Sequence, residues 1–286
     1  MSTISCYDPL MARDRQALTR AASLLEQPSF ATKVADVVGR PVIGALAMLP
    51  GVADRQLTRV IEAAILKCLS IAIDSLEGTP ASQPSRWVPR VATGITGGLG
   101  GLFGALALPI ELPLTTALML QTIADIARHQ GEDLGRPEAR LACLEVFALA
   151  DRRSGKRADI GYYATRSVLA QLTADIAALV VQRQTIDAAA SPVATSIVRE
   201  IAGRFGVAVS ERTAAAALPI VGAVGGAAVN VMFMSHFQQI AEGHFTIRRL
   251  ERRYGKEAVR NLYRSIVEEP RVRAITFKPR NGAETL

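Results

Sequence analysis

A chain of 286 residues can bury a substantial core, as one large domain or two small ones. Nearly half of it is hydrophobic, yet aromatics make up only 5% and alanine, leucine and glycine dominate, which favours close-packed helices over sheets rich in Val, Ile, Thr and aromatics. The formal net charge of +7, carried almost wholly by arginine, suits nucleic acid or an anionic membrane surface, and its distribution has to decide between them.

The opening residues MSTISCYDPLMARDRQ lack a basic stretch followed by an apolar core, so no signal peptide is expected. Cys6, Cys68 and Cys143 share no metal or redox spacing, and an odd count without a framework fits a reduced cytoplasmic setting. Asp8-Pro9 reads as a helix start, with apolar positions running to Leu25 before Gln27-Pro28 interrupts. A second helix is predicted over Phe30 to Val38, stopped by Gly39 and Pro41. From Val52 to Leu76, Leu57, Val60, Ile61, Ala64, Ile65 and Leu69 recur at helical spacing. Thr79 to Pro89 holds three prolines plus serines and is the best linker. The expected organisation is an N-terminal helical segment (1–80), a linker (81–90), a helical core (91–268) and a basic tail (269–286).

Gly94 to Pro113 reads GITGGLGGLFGALALPIELP, with Gly94, Gly97, Gly98, Gly100, Gly101 and Gly104 leading to Glu111 between two prolines. A dinucleotide loop would need glycine where Phe103 stands, and no strand precedes it. A P-loop fails too, because Gly155-Lys156 is followed by Arg157. Residues 91–110 carry no charge, enough to cross a bilayer as a helix, but Pro109, Glu111 and Pro113 fall where apolar character should continue. The remaining reading is packing: glycines four apart share a helical face and let a second backbone approach closely. Glycine costs a helix roughly 1 kcal/mol per residue against alanine, so so dense a run needs tertiary or lipid packing to stay helical.

If Glu111 to His129 is helical, Glu111, Thr115, Thr122, Asp125 and His129 form one narrow stripe. Glu111 beside Pro113 suits a helix start, where an acid meets the dipole and free amides. Glu111 and Asp125 would otherwise line a polar cleft, roughly 20 Å apart and too distant for paired acid–base work. Pro137 and Glu138 open a helix to about Ala150, and residues 151–159 form a charged loop. Tyr162 to Asp187 is predicted as one helix with Val168, Leu169, Leu172, Ile176, Leu179 and Val180 buried. Ser191-Pro192 opens the next. From Thr213 to Ala241 there is no formal charge, and Gly222, Gly225 and Gly226 lie within it. This stretch fits a membrane span with a basic cytoplasmic flank or a helix buried all round in a bundle.

On that segment Asn230, Met234, Phe237, Ala241 and His244 share a face, so Asn230 and His244 need hydrogen-bond partners if buried. His236 and His244 are eight apart with no carboxylate at ligand spacing, so no metal is expected, and no cofactor either. There is no Gly-x-Ser-x-Gly elbow. Arg152, Arg153, Lys156 and Arg157 form one basic cluster, and Arg248, Arg249, Arg252 and Arg253 another that could meet anionic headgroups. Without interleaved aromatics or a nucleic-acid module, nucleic acid ranks last. A helix over Lys256 to Val267 precedes the basic tail. No strand pattern persists, and the fold class is all-α: a multi-helix bundle with two glycine-rich apolar segments at its centre.

Several of these blocks together resemble the EcsC family: the glycine run into Leu108–Pro113, Gln121–Ala127, Gly131-Glu-Asp133, Gly161–Arg166, Leu218–Gly226 with Asn230, Ala241–Phe245 and Arg249–Gly255. Their order, over roughly Ala21 to Val267, carries the resemblance. It implies a largely helical protein of unestablished activity, the family being named for a component encoded beside an ABC transporter linked to secretion. Glu111 stands where the family usually has aspartate, and Gln121 where a basic residue is common, so the resemblance assigns no catalysis to either. The leading expectation is a non-enzymatic helical protein at the cytoplasmic membrane face, touching lipid or a transporter complex. The alternative is a soluble helical enzyme for an apolar or lipid-like substrate, which requires Glu111, Asn230 and His244 to converge within about 15 Å. An oligomeric pore would require both apolar segments exposed as one patch.

Overall fold

The structure, a computed structural model, describes residues 10–28, 30, 32–33, 55–74, 108–150, 161–181, 192–216 and 222–268. Among these residues there are eight α-helices and no strand. They are α1 (Ala12–Leu25), α2 (Arg55–Asp74), α3 (Leu108–His129), α4 (Pro137–Leu149), α5 (Tyr162–Val181), α6 (Pro192–Ala216), α7 (Gly222–Tyr254) and α8 (Lys256–Glu268). The all-α bundle expected from composition is what forms. The glycine run Gly94–Gly104, the linker and the basic tail lie outside the described residues. Gly222, Gly225 and Gly226 fall in the first two turns of α7.

The helix buried on every side is α4, where Ala139 and the whole run Leu141–Leu149 are inaccessible. It packs against α2, α3, α5, α6 and α7. From Leu141 to Leu149 its sequence is apolar all round except for Glu145, the pattern of a central helix. Around it, α7 is the long spine: 33 residues, about 50 Å at 1.5 Å per residue, touching α1, α3, α4, α6 and α8. Phe147 of α4, Phe205 of α6 and Phe233 and Phe237 of α7 meet in edge-to-face and tilted pairs, with centroids 5.0–6.3 Å apart. One hydrophobic core draws on all eight helices, α1 and α2 included.

Helix ends follow local chemistry. Gly131, at φ 78°, closes α3 in a Schellman turn: its N–H donates to the Arg128 carbonyl at 2.9 Å and that of Glu132 to Ala127 at 3.0 Å. Gly255, at φ 86°, separates α7 from α8 and turns the chain back along the spine. Helix α1 begins at Ala12 with Met11 as its N-cap, two residues past Pro9, and it ends before Gln27-Pro28 as expected. On α5 the predicted stripe is corrected at Val168, which is 46% exposed, whereas Leu169 is buried. Tyr162, Thr165 and Leu169 set the inward face, and Val168 lies 100° off Leu169. Leu172, Ile176, Leu179 and Val180 are in the helix but their side chains lie outside the described residues.

The described residues of the uncharged run Thr213–Ala241 fall at the end of α6 and in the first twenty residues of α7. Among the described residues no helix is long and apolar enough to cross a membrane.

Helix α1 runs antiparallel to the end of α7: Asp14 meets Arg253 and Tyr254, while Ala21 and Leu25 meet Gly243. Here lies the close glycine crossing that the structure does describe. A Cβ on Gly243 would come within 2.8 Å of Leu25 Cγ and 3.1 Å of the Ala21 carbonyl oxygen. Gly243→Ala is expected to lower stability by about 1–3 kcal/mol, the usual effect of overpacking, despite alanine's better helix propensity. A urea midpoint equal to or above the parent's would show that α1 can shift freely.

Candidate functional site

Four of the sequence blocks named above, Gly131–Asp133, Gly161–Arg166, Ala241–Phe245 and Arg249–Gly255, bring side chains to one buried polar network. The reason is topological, since α5 and the charged half of α7 both pack against α4. Arg166 of α5 and Glu251 of α7 pair through both ends of the guanidinium, Nη1–Oε1 and Nη2–Oε2 each 2.8 Å, with little of either side chain exposed. Tyr163 Oη donates to the same Glu251 Oε1 at 3.2 Å. Arg166 Nη1 also donates to Tyr162 Oη at 3.3 Å, and Tyr162 Oη lies 3.0 Å from His244 Nδ1.

That order assigns the protons. A tyrosine oxygen accepting from Arg166 has its own hydrogen free for His244 Nδ1, which places the imidazole proton on Nε2. The Nε2 atom faces Glu145 Oε2 of α4 at 3.7 Å, beyond hydrogen-bond reach but electrostatically matched. His244 is completely buried, and burial, then the charges of Arg166 and Arg248, hold its pKa well below the ordinary value. Burial raises the Tyr162 and Tyr163 phenols. For Arg166 burial pulls downward, but Tyr162 and Glu251 more than offset it, so the guanidinium stays charged.

One turn away, Arg248 Nε and Nη2 donate to Glu132 Oε1 and Oε2 at 2.9 and 3.0 Å, and Arg252 adds a bond to Glu132 and one to the Gln130 carbonyl at 2.6 Å. The Schellman turn at Gly131 is what aims Glu132 at α7. Burial alone would raise the Glu132 carboxyl, but its bonds to Arg248 and the two positive charges hold it below the usual range. Tyr163 meets Tyr162 and Tyr263 edge-on at 5.0 and 5.3 Å, Tyr162 and Tyr263 tilt together at 5.7 Å, and Arg260 lies over Tyr163 at 5.6 Å.

The expected site residues do not come together. Asn230 and His244 lie fourteen residues apart on the unbroken α7, about 21 Å along its axis. The cleft that needed Glu111, Asn230 and His244 within about 15 Å is therefore not formed, because a shared helical face does not shorten the axial distance. Glu111 lies in the first turn of α3, with its side chain outside the described residues. Asp125 is half exposed and accepts from Arg128 at 2.6 Å. The stripe it shares with His129 ends beside an open groove of about 420 Å³ between α1, α3 and α7, lined by residues including Arg20, His129, Gln130 and Glu242. His244, sealed in the core, reaches no solvent-borne substrate. Of the α7 arginines, Arg248 and Arg252 are held by Glu132 and Arg253 by Asp14 at 3.0 Å, while Arg249 is half-buried. No His/Cys/Asp/Glu group able to hold a metal occurs among the described residues.

Sequence reasoning passed over Glu132, Glu145, Tyr162, Arg166 and Glu251. One signal was available for Glu145: it is the lone carboxylate inside the run LACLEVFALA.

A family model described as the EcsC protein family matches residues 85–250. The matched span takes in α3 to α6 and α7 as far as Leu250, narrower than the stretch on which the sequence blocks were noticed. No curated protein and no solved structure matches the chain.

Proposed function

The chain belongs to the EcsC protein family, and from that premise we propose that it works as a non-catalytic peripheral protein at an anionic membrane surface, the cytoplasmic face of the membrane, docking through α1 and α8. The observation that carries the reading is the exposed positive charge of α1 and α8. Arg13, Arg15 and Arg20 on α1 and Lys256, Arg260 and Arg264 on α8 are all exposed, Arg20 lying 4.0 Å from Glu242 of α7. Opposing them on these two adjacent helices are the exposed acids Glu257 and Glu268, since Asp14 is buried under Arg253 and Tyr254. Met11, 64% exposed, adds an apolar side chain at the start of α1. Each arginine or lysine near an anionic surface contributes about 1 kcal/mol, so a handful gives salt-sensitive, reversible binding without a spanning helix. The arginines of α7 contribute less than their run in the sequence promises, because carboxylates already hold three of them.

Co-sedimentation with vesicles tests this. The purified chain is expected to bind vesicles containing about one third phosphatidylserine at low ionic strength and to leave them at high salt. Charge reversal at Arg13, Arg20 and Arg260 is expected to weaken binding by tenfold or more. Equal binding to phosphatidylcholine and phosphatidylserine vesicles, or none to either, would remove the reading.

A further inference from the structure

Away from this network and from the basic surface, a second buried histidine meets a lysine on the stretch that follows α1. Lys33 Nζ donates to Gln239 Oε1 at 3.1 Å and to Gln27 Oε1, and lies 3.2 Å from His236 Nδ1. An ammonium has only donors, so the ring nitrogen facing it has to be the bare acceptor. Phe30, fully buried, packs edge-on to Phe233 at 5.3 Å and tilts against His236 at 5.9 Å. His236 is buried, and Lys33 is the charged group that faces it; from the end of α4 its neighbour is the uncharged Ala150 main chain.

We propose that the stretch carrying Gln27, Phe30 and Lys33 is an acid-labile strap over α7: a proton taken up by His236 turns Nδ1 from acceptor to donor and sets a second cation beside Lys33, so the strap lifts and uncovers Phe233. With the strap closed, burial and then Lys33 hold the His236 pKa down at about 3. Opening returns the ring to the ordinary value near 6.5, so the open form binds one more proton between those limits. Lys33, pulled down to about 8 by burial, is charged in both forms below pH 7 and adds no dependence there. The equilibrium therefore shifts toward the open form by about tenfold per pH unit below about 6.5.

Amide hydrogen exchange on the full chain reads this directly, with rates corrected for intrinsic pH dependence. From pH 6.5 to 5.0, protection of Glu26, Gln27, Phe30, Thr32 and Lys33 is expected to fall about tenfold per unit while staying well below that of α4, which exchanges only on global unfolding. His236→Gln, which keeps an acceptor oxygen for Lys33 and does not titrate, is expected to flatten the profile at these residues. A flat profile in the parent chain, an unchanged slope in the variant, or protection at these residues equal to that of α4 throughout would each overturn the strap. In the parent chain alone, a His236 ring still neutral at pH 5.5 by NMR supports it, and a midpoint near 6.5 with the strap protected overturns it.

Discussion

Glu251→Leu is expected to lower the unfolding free energy by about 3–5 kcal/mol, the usual result of leaving one member of a buried ion pair without its partner. In this chain the stranded group is Arg166, nearly out of solvent and bonded to both Glu251 oxygens. Tyr163 loses its acceptor by the same substitution. Against a total stability of roughly 5–15 kcal/mol, such a loss leaves little margin at 37 °C. Tyr163→Phe, which removes one hydrogen bond and keeps the ring among Tyr162, Tyr263 and Arg260, is expected to lose only about 1 kcal/mol. Arg166→Met combined with Glu251→Leu is expected to recover much of the single loss, because both charges are then gone. Urea denaturation followed by circular dichroism measures all three. A loss under 1 kcal/mol for Glu251→Leu would mean that water reaches Arg166 and the network is not sealed.

Acidification is the second large effect. His244 and His236 are both neutral in the folded chain with pKa values below the ordinary 6.5, so the unfolded chain takes up protons that the folded chain refuses. Stability from these groups is fully present above about pH 6.5 and declines as pH drops below it, by up to about 1.4 kcal/mol per pH unit for each histidine. From pH 6.5 to 5 the pair accounts for up to about 4 kcal/mol. Below the usual glutamate range Glu132 adds to the loss, since its folded carboxyl is held low and its ionised form is the stabilising one. Urea midpoints at pH 7.5, 6.5, 5.5 and 5.0 would show the decline, and His236→Gln is expected to remove about half its slope. Midpoints that stay level from pH 7.5 to 5 would show that both rings titrate freely, contrary to their burial.

The sealed network and the exposed arginines bear on function in different ways. Arg166–Glu251 and Arg248–Glu132 tie α5, α7 and the turn after α3 together, so they hold shape and leave no open catalytic centre around His244. The groove beside His129 is open, but Asp125, the expected acid of that stripe, is spent on Arg128. What faces solvent on α1 and α8 is mainly charge of one sign, which is why a surface reading is preferred to a substrate.

By itself the sequence determined the class of fold and several of the helix boundaries that lie among the described residues. Gln27-Pro28, Pro137, Gly131 and Gly255 act within a few residues of themselves, by fixing φ, withholding an N–H or admitting a left-handed turn, and such effects are local enough to read from a string. Periodicity likewise placed Ile61, Ile65 and Leu69 inside α2. It could not say which helix lies at the centre, since that role fell to α4 through contacts with five others. Nor could it say which arginines of α7 meet a carboxylate. Arg248, Arg252 and Arg253 read as a cationic face until the turn at Gly131 and the antiparallel α1 bring Glu132 and Asp14 to them. Partners more than a hundred residues away decide whether a charge is neutralised, because Coulomb energy and desolvation depend on distance in space and on burial. The tertiary structure alone supplies both.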